Sequence, residues 1–173
     1  MQPNTQENLF KQWLGEYAKL IFKVVRAYAA SPHDQDDLFQ DILLQLWNSV
    51  PSFKGDAAET TWIYRVALNT ALVWKRTETR KRKRCRAAVI DFNELSAVNS
   101  NNSVCNDGLI EQLYDNIRKL EKIDGSLILM HLDGISYDQM ADILGISKYN
   151  VGVRLNRAKK QLADLMKGLI DEF

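Results

Sequence analysis

Leu9, Trp13, Tyr17, Leu20, Val24 and Tyr28 recur at steps of four and three, with Phe10, Leu14, Ile21 and Val25 beside them. That spacing winds an apolar face onto a 3.6-residue helix. It does not serve a strand, whose side chains alternate with period two. Comparable stripes return three times: Leu38, Phe39, Ile42, Leu43, Leu46, Trp47 and Val50; then Trp62, Ile63, Val66, Leu68, Val73 and Trp74; then Val151, Leu155, Ala158, Leu162, Leu165 and Leu169. No segment alternates strictly between apolar and polar residues, and 173 residues hold only three Pro and eight Gly. The expected fold class is therefore all-α. The last stripe is heptad-like, but it has few repeats, so it is expected to pack within its own domain rather than in a coiled coil.

Helix-breaking residues divide these stripes. Ser31-Pro32 ends the first helix, predicted over about 5–30, and Ser31 or Asp34 can cap the second. Pro51 ends the second helix and opens a loop, 51–60, with Gly55 and Asp56 as its turn residues. A third helix starts at Thr60 or Thr61 and runs into a basic block. From Ala97 to Gly108 polar and turn-forming residues dominate, which predicts a flexible linker over 87–107, with a short helical turn within 89–95. The expected organisation is two small helical domains, 5–86 and 108–173, the second holding four helices.

Net charge is only +1, yet its distribution is uneven. Lys75 to Arg86 carries eight basic residues against the single acid Glu78, and His33 to Asp41 carries four acids and no Lys or Arg. Such asymmetry points to one anionic and one basic partner. Trp62, Tyr64 and Trp74 share a helix with the basic block, a combination that suits unstacked bases and phosphates. The loop and the first turn of that helix offer free backbone N–H groups and the Thr60 and Thr61 hydroxyls. With the Asn69 amide two turns on, 53–61 is expected to form a pocket for one unstacked base. The alternative role for Asn69 is to pin the loop to the helix.

Catalysis is not expected. His33 and His131 are the only histidines, and His131 lies in the apolar run Leu127 to Leu132, where a semi-buried structural role is expected. No paired carboxylates, phosphate-binding glycine loop or metal-ligand cluster is visible, so no catalytic residue, metal or cofactor is assigned. Cys85 and Cys105 have no metal-like spacing and read as free thiols. The N-terminus lacks a basic-then-apolar signal, and no apolar run approaches membrane-spanning length. A cytoplasmic protein is the expectation.

The segment from Ile135 to Leu155 reads as a helix-turn-helix. Ala141 is small where two helices cross, Gly145 supplies the turn, and Val151 is apolar on the inner face of the second helix. Ile135, Met140, Leu144 and Ile146 complete a small core, and Ser147 caps the second helix. That helix presents Lys148, Tyr149, Asn150, Arg154 and Arg157 to base edges and phosphates.

In this order the motifs resemble bacterial RNA polymerase sigma factors of the extracytoplasmic-function type, within the sigma-70 family. The resemblance spans about Leu9 to Lys167. It is carried by Asp36-Asp37-Leu38-Phe39-Gln40-Asp41 through Trp47, by Phe53-Lys54-Gly55-Asp56 with Thr61-Trp62-Ile63-Tyr64-Arg65 through Ala71, and by Gly134-Ile135-Ser136-Tyr137 through Arg154-Leu155-Asn156-Arg157-Ala158. What the resemblance implies is a factor that binds core RNA polymerase and directs promoter-specific initiation. Its acidic helix would dock on polymerase, through Asp37, Gln40, Asp41 and Gln45. The loop and aromatic helix would melt and read single-stranded −10 DNA, through Phe53, Lys54, Asp56, Thr60, Thr61, Trp62, Arg65, Asn69, Lys75 and Arg76. The helix-turn-helix would read the −35 duplex. No further C-terminal domain is visible, and the family often uses an anti-sigma factor for its control. The alternative is a stand-alone helix-turn-helix regulator, which leaves the acidic and aromatic-basic segments without a task. Three departures from the family pattern bear on −35 preference: Gly152 lies inside the recognition helix, Met140 stands where the family usually has Ile, and Leu120-Glu121 has no proline after the leucine.

Overall fold

The computed structural model describes residues 3–88 and 107–170, with side chains over 6–81 and 108–167. Every described element is helical: α1 (Pro3–Tyr28), α2 (Pro32–Ser49), a 3₁₀ turn (Val50–Ser52), α3 (Glu59–Ala88), α4 (Asp107–Lys119), α5 (Lys122–Leu132), α6 (Tyr137–Leu144) and α7 (Lys148–Ile170). The expected linker and the short turn at 89–95 fall almost wholly outside the described residues, as do both cysteine side chains.

The breaks follow local chemistry. Ser31 sits in extended backbone and its hydroxyl accepts the Asp34 N–H at 3.1 Å, so Ser31 rather than Asp34 caps α2. Pro51 lies in the 3₁₀ turn that closes α2. α3 then runs unbroken through the basic block.

α1, α2 and α3 pack as the first half. Trp13, Ile21, Val24, Leu38, Ile42, Leu46, Ile63, Tyr64 and Leu68 are all essentially buried, so most of each predicted stripe forms the core, while Val73 of the third stripe is exposed. Aromatic pairs line the α1–α2 seam: Phe10 meets Trp47 edge-on at 5.3 Å and Phe22 stacks on Phe39 at 4.6 Å. In the second half, Leu127, Ile128, Leu129 and Met130 of α5 are buried against α4 and α7. His131, by contrast, is exposed in the last turn of α5. Burial of the apolar run stops at Met130, two residues before its end, and Leu132 is 59% exposed in the last turn of the helix.

The two halves touch. Tyr28 of α1 hydrogen-bonds Ser126 and the Lys122 carbonyl oxygen of α5. Lys23 and Tyr64 both donate to the Asp133 carboxylate just after α5. Arg26 reaches Glu111 at 2.7 Å and lies 4.5 Å from the Tyr114 ring centroid, while Arg118 donates to the Arg26 carbonyl. Burial pushes the Tyr28 hydroxyl up to about 12, against the lowering pull of its Ser126 hydrogen bond. Tyr64 is raised well above an ordinary phenol by burial and by the neighbouring Asp133 carboxylate. Both hydroxyls thus stay protonated, and Tyr64 remains a donor through the neutral range.

Candidate nucleic-acid interface

Helix α6 and the start of α7 form the helix-turn-helix, and each turn of it has a local cause. Ser136 accepts the Gln139 N–H at 3.3 Å, and the Gln139 side chain accepts the Ser136 N–H at 3.1 Å, a reciprocal cap. Gly145 stands at φ 66°, ψ 33°, where a side chain is strained, and its N–H bonds Ala141 O. The Ser147 hydroxyl then accepts the Asn150 N–H at 3.2 Å and starts α7. Met140, Ile143, Val151, Leu155 and Ala158 are buried between the helices. Gly152 faces Tyr137: a Cβ there meets the ring at 3.7 Å, an ordinary contact.

The side chains expected to face DNA on α7 divide into two groups. Lys148, Tyr149 and Asn150 are exposed, and Lys148 reaches Asp138 at 2.8 Å. Arg154 and Arg157 turn back toward α5. Arg154 Nε donates to Asp124 Oδ1 at 2.8 Å, with a guanidinium nitrogen 2.8 Å from Glu121. Arg157 donates to Asp124 Oδ2 at 2.9 Å. Asp124 is 1% exposed, so its two oxygens depend on these two arginines. The sequence signal for this brace was the pair Glu121 and Asp124, one helical turn apart, which the motif reading did not use.

In the first half, α2 and α3 enclose a groove of 670 Å³. It brings together Asp37, Gln40, Asp41 and Gln45 of α2 with Asn69, Thr70, Trp74 and Thr77 of α3. Asn69 thus stands among the acidic-helix residues expected to meet polymerase. It does not stand beside Thr60: nine residues along a helix are about two and a half turns, which places the two on opposite sides. Phe53 is wedged between Trp13 at 5.3 Å and Trp62 at 5.6 Å, and Trp62 Nε1 donates to Ser49 Oγ at 3.2 Å. These aromatic rings therefore hold the loop to the core. Thr61 is buried, and its hydroxyl has no hydrogen-bond partner among the described residues. Lys54 and Asp56 are exposed on the loop, and Thr60 is half-buried. Arg65 donates to the Asp142 carbonyl of α6 at 2.9 Å, and Lys75 to the Tyr28 carbonyl at 3.2 Å. Arg76, Arg80 and Lys81 are exposed. Among the described residues there is no cluster of three or more potential metal ligands, and no helix is long and apolar enough to cross a membrane.

Comparison with known proteins matches both halves. Residues 13–81 match Sigma-70 region 2, and residues 110–162 match Sigma-70 region 4. The chain is 25% identical over 172 residues to the ECF RNA polymerase sigma-E factor of Escherichia coli K12, covering 95% of this chain and 90% of that one. It is 25% identical over 174 residues to the RNA polymerase sigma factor YlaC of Bacillus subtilis 168, covering 90% and 88%. The fold is similar to that of the sigma factor RpoE of Bartonella quintana, solved with the anti-sigma factor NepR, with a TM-score of 0.69 at 19% identity over 91% of this chain and 96% of that one. It is also similar to CnrH, solved with the cytosolic domain of CnrY, with a TM-score of 0.67 at 20% identity over 94% and 90%. With both sigma-70 regions present in order on an all-helical fold of this kind, the chain belongs to the sigma-70 family of RNA polymerase sigma factors, in its extracytoplasmic-function group.

Proposed function

We propose that this chain acts in the cytoplasm as a promoter-specificity factor. It binds core RNA polymerase, reads the −35 duplex through the helix-turn-helix, and opens and reads the −10 element through the first half. It performs no bond chemistry of its own. The observation that carries the reading is the presence, in one chain, of a region-2 segment ahead of a region-4 segment. A stand-alone regulator needs only the second.

The roles divide by chemistry. The exposed acids Asp37 and Asp41, with Gln40 and Gln45, suit a basic surface of polymerase. Lys54, Asp56, Thr60, Asn69 and Arg76 are assigned to −10 DNA, with Phe53 and Trp62 setting the loop, Thr61 buried behind it, and Arg65 and Lys75 held by the Asp142 and Tyr28 carbonyls. Arg76 and the exposed basic face beyond it suit strand phosphates, which makes opening salt-sensitive. Lys148, Tyr149, Asn150 and Arg157 lie toward the −35 duplex, with Arg154 bracing the helix that carries them. Control by an anti-sigma factor fits the similar RpoE and CnrH folds, each solved with a partner: NepR, an anti-sigma factor, and the cytosolic domain of CnrY.

The deciding experiment is transcription from a genomic promoter library by core polymerase with and without the chain. Specific start sites that depend on the chain are the expected result. Charge reversal of Asp37 and Asp41 to Lys removes those transcripts and weakens polymerase binding while helicity is unchanged. Tight promoter binding by the chain alone, with no effect of polymerase, would mark a stand-alone regulator instead.

A further inference from the structure

Helix α7 offers a duplex a face whose chemistry differs from that expected of a basic recognition helix. The two arginines are engaged with Asp124 of α5 and with Glu121, the residue just before that helix. Withdrawing both would leave the 1%-exposed Asp124 carboxylate without a counter-charge, so their reach toward a base is opposed by the packing of their own domain. Tyr149 and Val153 stand clear of that network. They are 79% and 52% exposed, one turn apart on the same face of α7. Core packing does not account for them, because the buried face of this helix is Val151, Leu155 and Ala158. Asn150 and Asn156, each three residues from Val153, are exposed beside them.

In the major groove the apolar feature of a base pair is the C5 methyl group of thymine, and a carboxamide matches the adenine N6 and N7 pair. Tyr149, Asn150 and Val153 occupy the first two turns of α7, the part of a recognition helix that meets base edges. Lys159 and Lys160, farther along the helix, supply charge for the phosphates. We propose that Tyr149 and Val153 contact thymine methyl groups in the −35 duplex, with Asn150 or Asn156 on an adjacent adenine. This stripe sets an A·T preference where a free arginine would have selected guanine. The proposal rests on the reading that α7 enters the −35 major groove, and it adds which bases are read and by what chemistry.

The test uses the full chain bound to core polymerase and promoters randomised over the −35 element. Enrichment of at least one thymine is expected. Replacing that thymine by deoxyuridine removes only the methyl group, and affinity then falls roughly fourfold, the size of one buried methyl-sized group. Val153→Ala or Tyr149→Ala reduces that deoxyuridine penalty below about twofold at one position each, with helicity unchanged. Enrichment of a −35 sequence that tolerates deoxyuridine throughout overturns the proposal alone, as does a full penalty retained in both variants. Failure of any −35 sequence to enrich, while −10 selection persists, overturns the groove placement and the proposal with it.

Discussion

Arg154→Ala separates a bracing arginine from a base-reading one. The Arg154 side chain is 25% exposed and holds one oxygen of Asp124, while Arg157 holds the other. Removing one partner of a buried ion pair destabilises by about 3–5 kcal/mol, because a charge is left without compensation. Arg157 survives in the variant and still neutralises Asp124, so the cost falls below that range, at about 1.5–3 kcal/mol, the size of a hydrogen bond to a charged group. For a chain of this size, at about 2–4 °C per kcal/mol, Tm falls by roughly 3–12 °C. Arg157 is 54% exposed, so Arg157→Ala loses less stability and more phosphate contact. The assay pairs thermal unfolding with −35 duplex binding, measured well below Tm over a series of base substitutions. Arg154→Ala lowers Tm and keeps the base preference of the native chain. Arg157→Ala weakens all sequences alike and lowers the salt slope by about one. An unchanged Tm in Arg154→Ala, together with lost discrimination at a single base pair, would refute the brace and restore Arg154 as a base reader.

Three further outcomes are expected. Tyr64→Phe combined with Lys23→Ala strips both donors from Asp133, and small-angle scattering then reports a larger radius of gyration with helicity unchanged; an unchanged radius means this carboxylate does not hold the two halves together. The two glycines of the helix-turn-helix respond to alanine with opposite sign: Gly152→Ala stabilises by up to about 1 kcal/mol, since the helix gains propensity and the Cβ meets only an ordinary contact, whereas Gly145→Ala destabilises by about 1 kcal/mol at its positive φ. Denaturant midpoints check both, and a shared sign contradicts the backbone argument. Asn69→Ala flattens preference at one −10 position if the amide reads a base from the α2–α3 groove, and a base scan of the −10 element decides; uniform loss with lowered Tm assigns Asn69 to structure instead.

Local regularities of the sequence were enough for the all-helical class, the breaks at Ser31-Pro32 and Pro51, and the helix-turn-helix. Each rests on interactions within a few residues: a 3.6-residue stripe, a hydroxyl cap, a glycine at positive φ. The partition of the site was not legible in the same way. Arg154 looks like any outward arginine until α5 lies beside it, since its partners Asp124 and Glu121 are thirty or more residues away and their meeting depends on how α5 crosses α7. Phe53 and Trp62 are expected at −10 DNA from their place in the motif, but Trp13 of α1 closes over the loop and packs Phe53 against Trp62. Asn69 was grouped with Thr60 by nearness in sequence, yet helical rotation turns it toward Asp37 and Asp41 of α2. The contact between the halves, through Asp133, Tyr64 and Tyr28, likewise needs side chains from opposite ends of the chain. Periodicity along a chain says which face of a helix is apolar. Which polar groups meet across helices follows only from their packing, because ion pairs and hydrogen bonds act over a few ångströms in space, whatever the separation in sequence.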